Sequence, residues 1–337
     1  AAPVALARRE VVVSCSIGIA SGNAPGEELL RNADVAMYRA KAEGSGRHAI
    51  FQPSMRAEVV DRLELEADLR GAEARGELEV HYQPLVELET GAVAGFEALL
   101  RWRHPRRGLV PPLAFIPVAE QSDLIHAIGR WVLEEACARA ATWDEIHPPP
   151  PGQGARAITV NLSGRQLEQP DLVDQVTAAL RRSGLPPERL VLEITETVLM
   201  QDTEATIGRL TALKAAGVRL AVDDFGTGYS SLRYLSRFPI DLLKMAKPFV
   251  DSVDTGPQGA ALARTIVDLG TSLGLQIIAE GIELGPQLAH LRRLGCHLGQ
   301  GYLFARPLTV KQVAAMLSDP RTAEGWSAAR ALYPLPG

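Results

Sequence analysis

The sequence predicts an α/β protein, a modified TIM (β/α)8 barrel with an antiparallel first strand, preceded by a small N-terminal strand-helix segment. Three observations carry that expectation. From about residue 77 onward, eight short apolar runs alternate with amphipathic stretches, the pattern of repeated strand-helix units that pair mostly in parallel. The 337 residues are enough for such a barrel, which takes ~250, together with an appendage. The first two runs, LEVHYQPLV and AVAGFEALLRW, lie too close together for a crossover helix, so they are expected to pair antiparallel.

Taken in chain order, EVVVSCSIGIA over residues 10–20 reads as one β-branched strand. ELLRNADVAMYRAKAEG then reads as an amphipathic helix through Leu29, Leu30, Ala33, Met37 and Ala40, stopped by Gly44 and Gly46. One strand and one helix cannot bury a core, so this part is either a docked arm or the remnant of a larger domain. Residues 54–76, with Leu63, Leu65 and Leu69 among alternating charges, read as a helical connector or first barrel helix. The remaining runs are ARAITVNLS, RLVLEITE, VRLAVDDF, IDLLKMA, LQIIAEGI and GCHLGQGY. Helices are expected at 122–143, 171–183, 203–216, 259–274 and 285–294, and Pro148 to Pro151 with Gly152 and Gly154 mark a surface loop. The chain is thus divided at 1–53, 54–76, 77–318 and a tail over 319–337.

Composition narrows the function classes. Hydrophobic residues at 46% and charged residues at 22% are ordinary for a globular chain. Asp and Glu outnumber Lys and Arg by 40 to 35, a net charge of −5, which argues against a nucleic acid polymer as partner. Cys15, Cys137 and Cys296 are scattered without metal-like spacing and read as reduced thiols. Arg264 and Asp268 interrupt the best apolar stretch before it reaches the ~18 residues of a membrane span, and no signal peptide pattern opens the chain. The expected location is cytoplasmic, including the cytoplasmic part of a larger membrane-anchored protein.

The informative polar residues are positional. Toward its C-terminal end each run closes with Glu97, Asn161, Glu193, Asp223 with Asp224, Lys244, Glu280 or Gln300. In a barrel those ends share the face on which active sites are built. Any one of them alone could cap the next helix. Five carboxylates converging on one lysine, however, would raise one another's pKa values, and divalent cations would relieve the conflict. Carboxylate and amide oxygens without paired His or Cys suit hard ions such as Mg2+ or Mn2+. Adjacent Asp223 and Asp224 could serve two ions ~3.5–4 Å apart, the spacing used in phosphodiester chemistry. Gly226 and Gly228 in the following FGTGYSS permit a tight loop over the site.

The ordered motifs YQPL, Glu97-Ala98-Leu99-Leu100-Arg101, NLS, LEITET, VDDFGTGYSSL, DLLK, AEGIE and GQGYLFARPL resemble the EAL domain family over about residues 60–318. SIGIA with ADVAMYRAKAEGSGRH resembles the C-terminal end of GGDEF domains, without the cyclase signature. The EAL resemblance implies a phosphodiesterase that opens cyclic di-GMP to linear pGpG with two divalent cations. It implies that Glu97, Asn161, Glu193 and Asp223 hold one ion, and that Asp223, Asp224 and Glu280 hold the second. Lys244 would position the attacking water, Glu196 would anchor the DDFGTG loop, and Gln300 would contact water on a metal. Gln83 and Arg101 would touch substrate, Glu283 would lie at the edge of the site near the lysine, and a homodimer through this domain is expected.

One departure bears on rate. The family reads Lys-Ile-Asp after the lysine strand, where this chain has Lys244, Met245 and Ala246. Two other readings compete with the phosphodiesterase: a module that binds cyclic di-GMP without cutting it, and an unrelated enolase-type barrel with acids at its strand ends. The first would be favoured by lost metal ligands, and all of those named are present. The second would need a further Lys or His base on the rim.

Overall fold

In the computed structural model, which describes residues 4–6, 9–11, 14–42, 46–149, 153–200, 204–227 and 237–319, the chain forms two units, Ala1–Ala72 and Glu73–Gly337. In the first, β1 (Val4–Leu6) and β2 (Arg9–Val11) pair antiparallel, and β3 (Ile17–Ile19) and β4 (His48–Ile50) pair in parallel. Helix α1 (Gly26–Ala42) is the crossover between β3 and β4, and α2 (Pro53–Leu69) packs on it. Gly18 sets the approach of strand to helix: a Cβ there would fall 1.8 Å from the Ala33 carbonyl oxygen. The residues expected to form one strand over 10–20 are in fact divided, because Arg9–Val11 pairs with β1 while Ile17–Ile19 pairs with β4. Gly44, Gly228, residues 150–152 and the tail from residue 320 lie outside the described residues.

The second unit is the barrel. Strands β5 (Leu78–Glu87), β6 (Val93–His104), β8 (Ala157–Asn161), β9 (Leu190–Thr195), β10 (Arg219–Phe225), β11 (Leu242–Met245), β12 (Gln276–Ala279) and β13 (Leu298–Gly299) follow one another around it. All neighbours from β6 to β13 are parallel, while β5 runs antiparallel to both β6 and β13 and closes the ring. The modified TIM barrel with an antiparallel first strand is therefore what the chain forms. Strand β6 runs on past the barrel to pair with β7 (Gly108–Val110), which leads into α3 (Pro112–Gln121) and α4 (Leu124–Ile146). Trp143 on α4 meets Tyr82 edge-on, with centroids 4.7 Å apart, and Phe96 at 5.2 Å, so α4 is seated against β5 and β6.

Alternation along the strands sorts the interior. Leu85, Val191, Ala221, Leu242 and Ile278 form an apolar cluster inside the barrel, with Ala157 and Leu298 packed on it. Because side chains alternate between faces, residues two positions on share the interior. Val191 is thus followed by Glu193, Ala221 by Asp223, Leu242 by Lys244, Ile278 by Glu280 and Leu298 by Gln300. On the reversed strand, Gln83 stands two before Leu85. Glycines with positive φ at 184, 217, 274 and 295 end the helices that return to the next strand, conformations that cost glycine little.

The opposite face is fastened by charge. Asp144 on α4 sits between Arg156 at 2.9 Å and Arg189 at 2.8 Å, all three nearly buried. Arg189 also donates to the carbonyls of Arg156 and Ala140, tying α4 to the starts of β8 and β9. Replacing Asp144 by Ala leaves two guanidinium groups uncompensated and is expected to cost about 3–5 kcal/mol in urea unfolding, a loss that a value under about 1 kcal/mol would contradict.

Candidate active site

The barrel mouth is centred on Lys244, 1% exposed at the interior end of β11. Its Nζ lies 2.6 Å from Glu280 Oε1, 2.7 Å from Glu193 Oε2, 3.3 Å from Asp223 Oδ1 and 3.5 Å from Glu97 Oε2. These carboxylates come from just past β12, from the second halves of β9 and β10, and from the middle of β6, strands spread over almost 200 residues of chain. On the β6 side the amides join in. Asn161 Nδ2 donates to Glu97 Oε1 at 2.8 Å, and Gln300 Nε2 donates to Glu97 Oε2 and, at 3.0 Å, to Gln83 Oε1. Gln83 Nε2 donates in turn to the Ala305 carbonyl at 3.0 Å.

Asp224 stands beside this group in the left-handed region, at φ 54°, with its N–H donated to Asp223 Oδ1 at 2.9 Å. That backbone turn directs the chain from β10 into the following loop. Asp223, Asp224 and Glu280 each offer a carboxylate oxygen, all within 4.8 Å of one another. Glu196, buried at the start of the short helix Glu196–Leu199, accepts the Gly226 N–H at 2.9 Å and so pins the first residues of that loop. Gly226 has φ +94°, and a Cβ there would fall 2.6 Å from the Phe249 ring, so glycine is required twice over.

The electrostatics of this arrangement are unbalanced. Burial disfavours the Lys244 ammonium, but Glu193, Glu280, Glu97 and Asp223 outweigh it and hold the lysine pKa well above its ordinary value. Burial pushes Glu193 far above the usual carboxylate range, with Glu97 adding to it and Lys244 opposing. Burial also pushes Glu280 up to about 8 against the pull of Lys244. Asp224 is raised by burial and by Asp223. Glu97 alone goes the other way, since Lys244 and the Gln300 and Asn161 amides outweigh the effect of its burial. One ammonium is thus too little charge for five carboxylates. The site fits divalent cations, because oxygen donors at these positions suit hard ions and added positive charge relieves the raised groups.

The remaining expected residues lie further out. Arg101, two residues beyond Leu99 on β6, donates to the Leu100 carbonyl at 2.9 Å and is electrostatically linked to Tyr302 and Glu97. Glu283 is exposed and pairs with Lys247 at 3.2 Å; its partner is not Lys244. Ala246, at the position where the family has Asp, is buried just before the helix Lys247–Ser252.

Sequence reasoning missed a cavity of about 380 Å3 that opens beside Glu97 and Asn161. Its walls are apolar, made by Leu99, Pro112, Ile116, Ile125, Ile128 and Val132, and Glu120 lines it as well. Helices α3 and α4 build most of it, so no local motif announces it.

Comparison with known proteins agrees with this geometry. Residues 66–307 match the EAL domain. The chain is 44% identical over 319 residues to the bifunctional diguanylate cyclase/cyclic di-GMP phosphodiesterase MucR of Pseudomonas aeruginosa, covering 94% of this chain and 46% of that protein. It is 38% identical over 302 residues to the cyclic di-GMP phosphodiesterase PdeR of Escherichia coli, covering 89% of this chain and 45% of that one. The solved PaMucR phosphodiesterase in complex with c-di-GMP superposes with a TM-score of 0.69 at 44% identity, over 74% of this chain and 99% of that structure. The chain spans less than half the length of these curated relatives. With its strand-end acids, its reversed first strand and the match over residues 66–307, the chain belongs to the EAL domain family.

Proposed function

We propose that the barrel hydrolyses one phosphodiester bond of cyclic di-GMP to give linear pGpG, in bacterial second-messenger signalling. The observation that carries this reading is the buried convergence of Glu97, Glu193, Asp223 and Glu280 on Lys244, at the mouth of a barrel whose relatives MucR and PdeR are named phosphodiesterases of that nucleotide. Glu97, Asn161, Glu193 and Asp223 would hold one divalent cation, Mg2+ or Mn2+, and Asp223, Asp224 and Glu280 a second. Bound in this way, such ions lower the pKa of water and neutralise charge developing on phosphate oxygens.

The chain's own residues do the rest. Lys244 keeps its proton among four acids and supplies a fixed positive charge next to the reacting phosphate. Asn161 and Gln300 orient Glu97 from either side. Glu196 holds Gly226, and through it the turn that carries Asp223 and Asp224. Arg101 offers a guanidinium at the rim for a phosphate oxygen or a guanine edge. The same reading takes Gln83 and Glu283 as substrate contacts, assigns residues 1–53 to the end of a GGDEF-like domain, and pairs two copies through the barrel.

Three measurements test it. Incubation with cyclic di-GMP and Mg2+ or Mn2+, followed by chromatography, is expected to yield pGpG; retained nucleotide with no product selects the sensor reading. Glu97→Ala is expected to abolish turnover, and wild-type rates in that variant would refute the assignment. The third concerns pH. Because burial pushes Glu280 up to about 8 and raises Glu193 as well, a cation must displace protons to bind, so Mn2+ affinity should rise with pH from about 6 to at least 8. Calorimetry should register proton release over that range, and a flat affinity would contradict the ligand role of Glu280.

A further inference from the structure

Glu280, the acid nearest Lys244, lies outside the strands: it follows the last residue of β12 and opens a turn that runs to Leu284. A carboxylate on a turn keeps its direction only if the turn is held. Hydrogen bonds fasten several of its residues, since the Glu280 N–H donates to the Met245 carbonyl at 3.1 Å, the Ile282 N–H to that of Gln300 at 3.0 Å, and the Glu283 N–H to Gln287 Oε1 at 2.8 Å. Gly281 is fixed in another way. It sits in the left-handed region at φ +69°, and the stem of Lys247 covers it so closely that a Cβ there would fall 2.6 Å from Lys247 Cγ and 2.8 Å from Cδ.

Lys247 opens the helix Lys247–Ser252, three residues after Lys244. Its ammonium reaches two carboxylates, Asp251 Oδ1 at 2.7 Å and Glu283 Oε1 at 3.2 Å. Asp251 lies one turn further along the same helix, and Glu283 lies three residues beyond Glu280. The side chain is therefore a brace: anchored on its own helix, it lies against Gly281 and ties down Glu283 beyond it. A long cation suits this task, because its methylenes cover the glycine while its charge stays in water. All three charged groups are nearly half exposed, and such pairs contribute little to the stability of a fold. What the brace does fix is the backbone next to Glu280.

We propose that Lys247 is a positioning residue for the cation site, holding Glu280 in place through Gly281 and Glu283. This inference rests on the reading of Glu280 as a cation ligand. Groups that orient a ligand without touching the ion commonly set metal affinity, and their removal costs roughly 10–100-fold.

The test is Mn2+ binding by calorimetry in Lys247→Ala, Lys247→Arg, Glu280→Gln and the double variant Lys247→Ala/Glu280→Gln, each also followed by urea unfolding. Lys247→Ala is expected to lose roughly 10-fold in Mn2+ affinity with an unchanged unfolding midpoint, and Lys247→Arg, which keeps a stem and a charge, to recover most of that loss. In Glu280→Gln the ligand is already disabled, so adding Lys247→Ala should cause no further loss, a coupling that general loosening of the site would not produce. A Lys247→Ala affinity within about twofold of wild type, a fall in unfolding midpoint that accompanies the lost affinity, or additive losses in the double variant would overturn the proposal. If wild type binds Mn2+ but leaves cyclic di-GMP uncut, the functional reading fails and the variants still decide this inference; if wild type binds no Mn2+, both fail.

Discussion

The site depends on a charge imbalance held in place by packing. Four carboxylates reach one buried ammonium and a fifth stands alongside, so the mouth of the barrel is short of positive charge by construction. Lone buried charges are costly, and the fold tolerates these because each is paired, hydrogen-bonded or pushed toward its neutral form. Glu97 takes the first two routes and stays ionised, while Glu193 and Glu280 take the third. A centre in that condition would be relieved by added positive charge.

The barrel makes the imbalance possible. Its apolar cluster lies one interior position below Glu193, Asp223 and Glu280, so the residues that stabilise the barrel and those proposed to perform chemistry occupy the same face at different heights. A slip of one residue on any strand would turn its acid outward. The reversed β5 obeys the same parity from the other direction, bringing Gln83 to Gln300. The far end carries the Asp144 network, a second charge cluster kept apart from the acids around Lys244.

Much of this was legible in the sequence, and the physics explains which parts. Glu97, Asn161, Glu193, Asp223, Lys244, Glu280 and Gln300 could be found because strand ends in a barrel share one face, so position along a run gives position in space. The close spacing of the first two runs gave the reversed strand. Residues beyond the strands obey no such rule. Glu283 follows β12 by four positions, and its partner Lys247 is set by the loop path. The run Glu10–Ala20 reads as one strand whichever sheet its parts join, so its division between β1 and β4 was hidden. Glu120 and the cavity arise from the packing of α3 and α4 against β6 and β8, a contact between distant stretches of chain that no spacing encodes.

The claim that the mouth exists to hold cations is tested most directly by anomalous diffraction from crystals grown with Mn2+. The account predicts two peaks flanking the Asp223 carboxylate, roughly 3.5–4 Å apart. Fully formed crystals at saturating Mn2+ that show no peak there, with Lys244 still in contact with all four carboxylates, would contradict it.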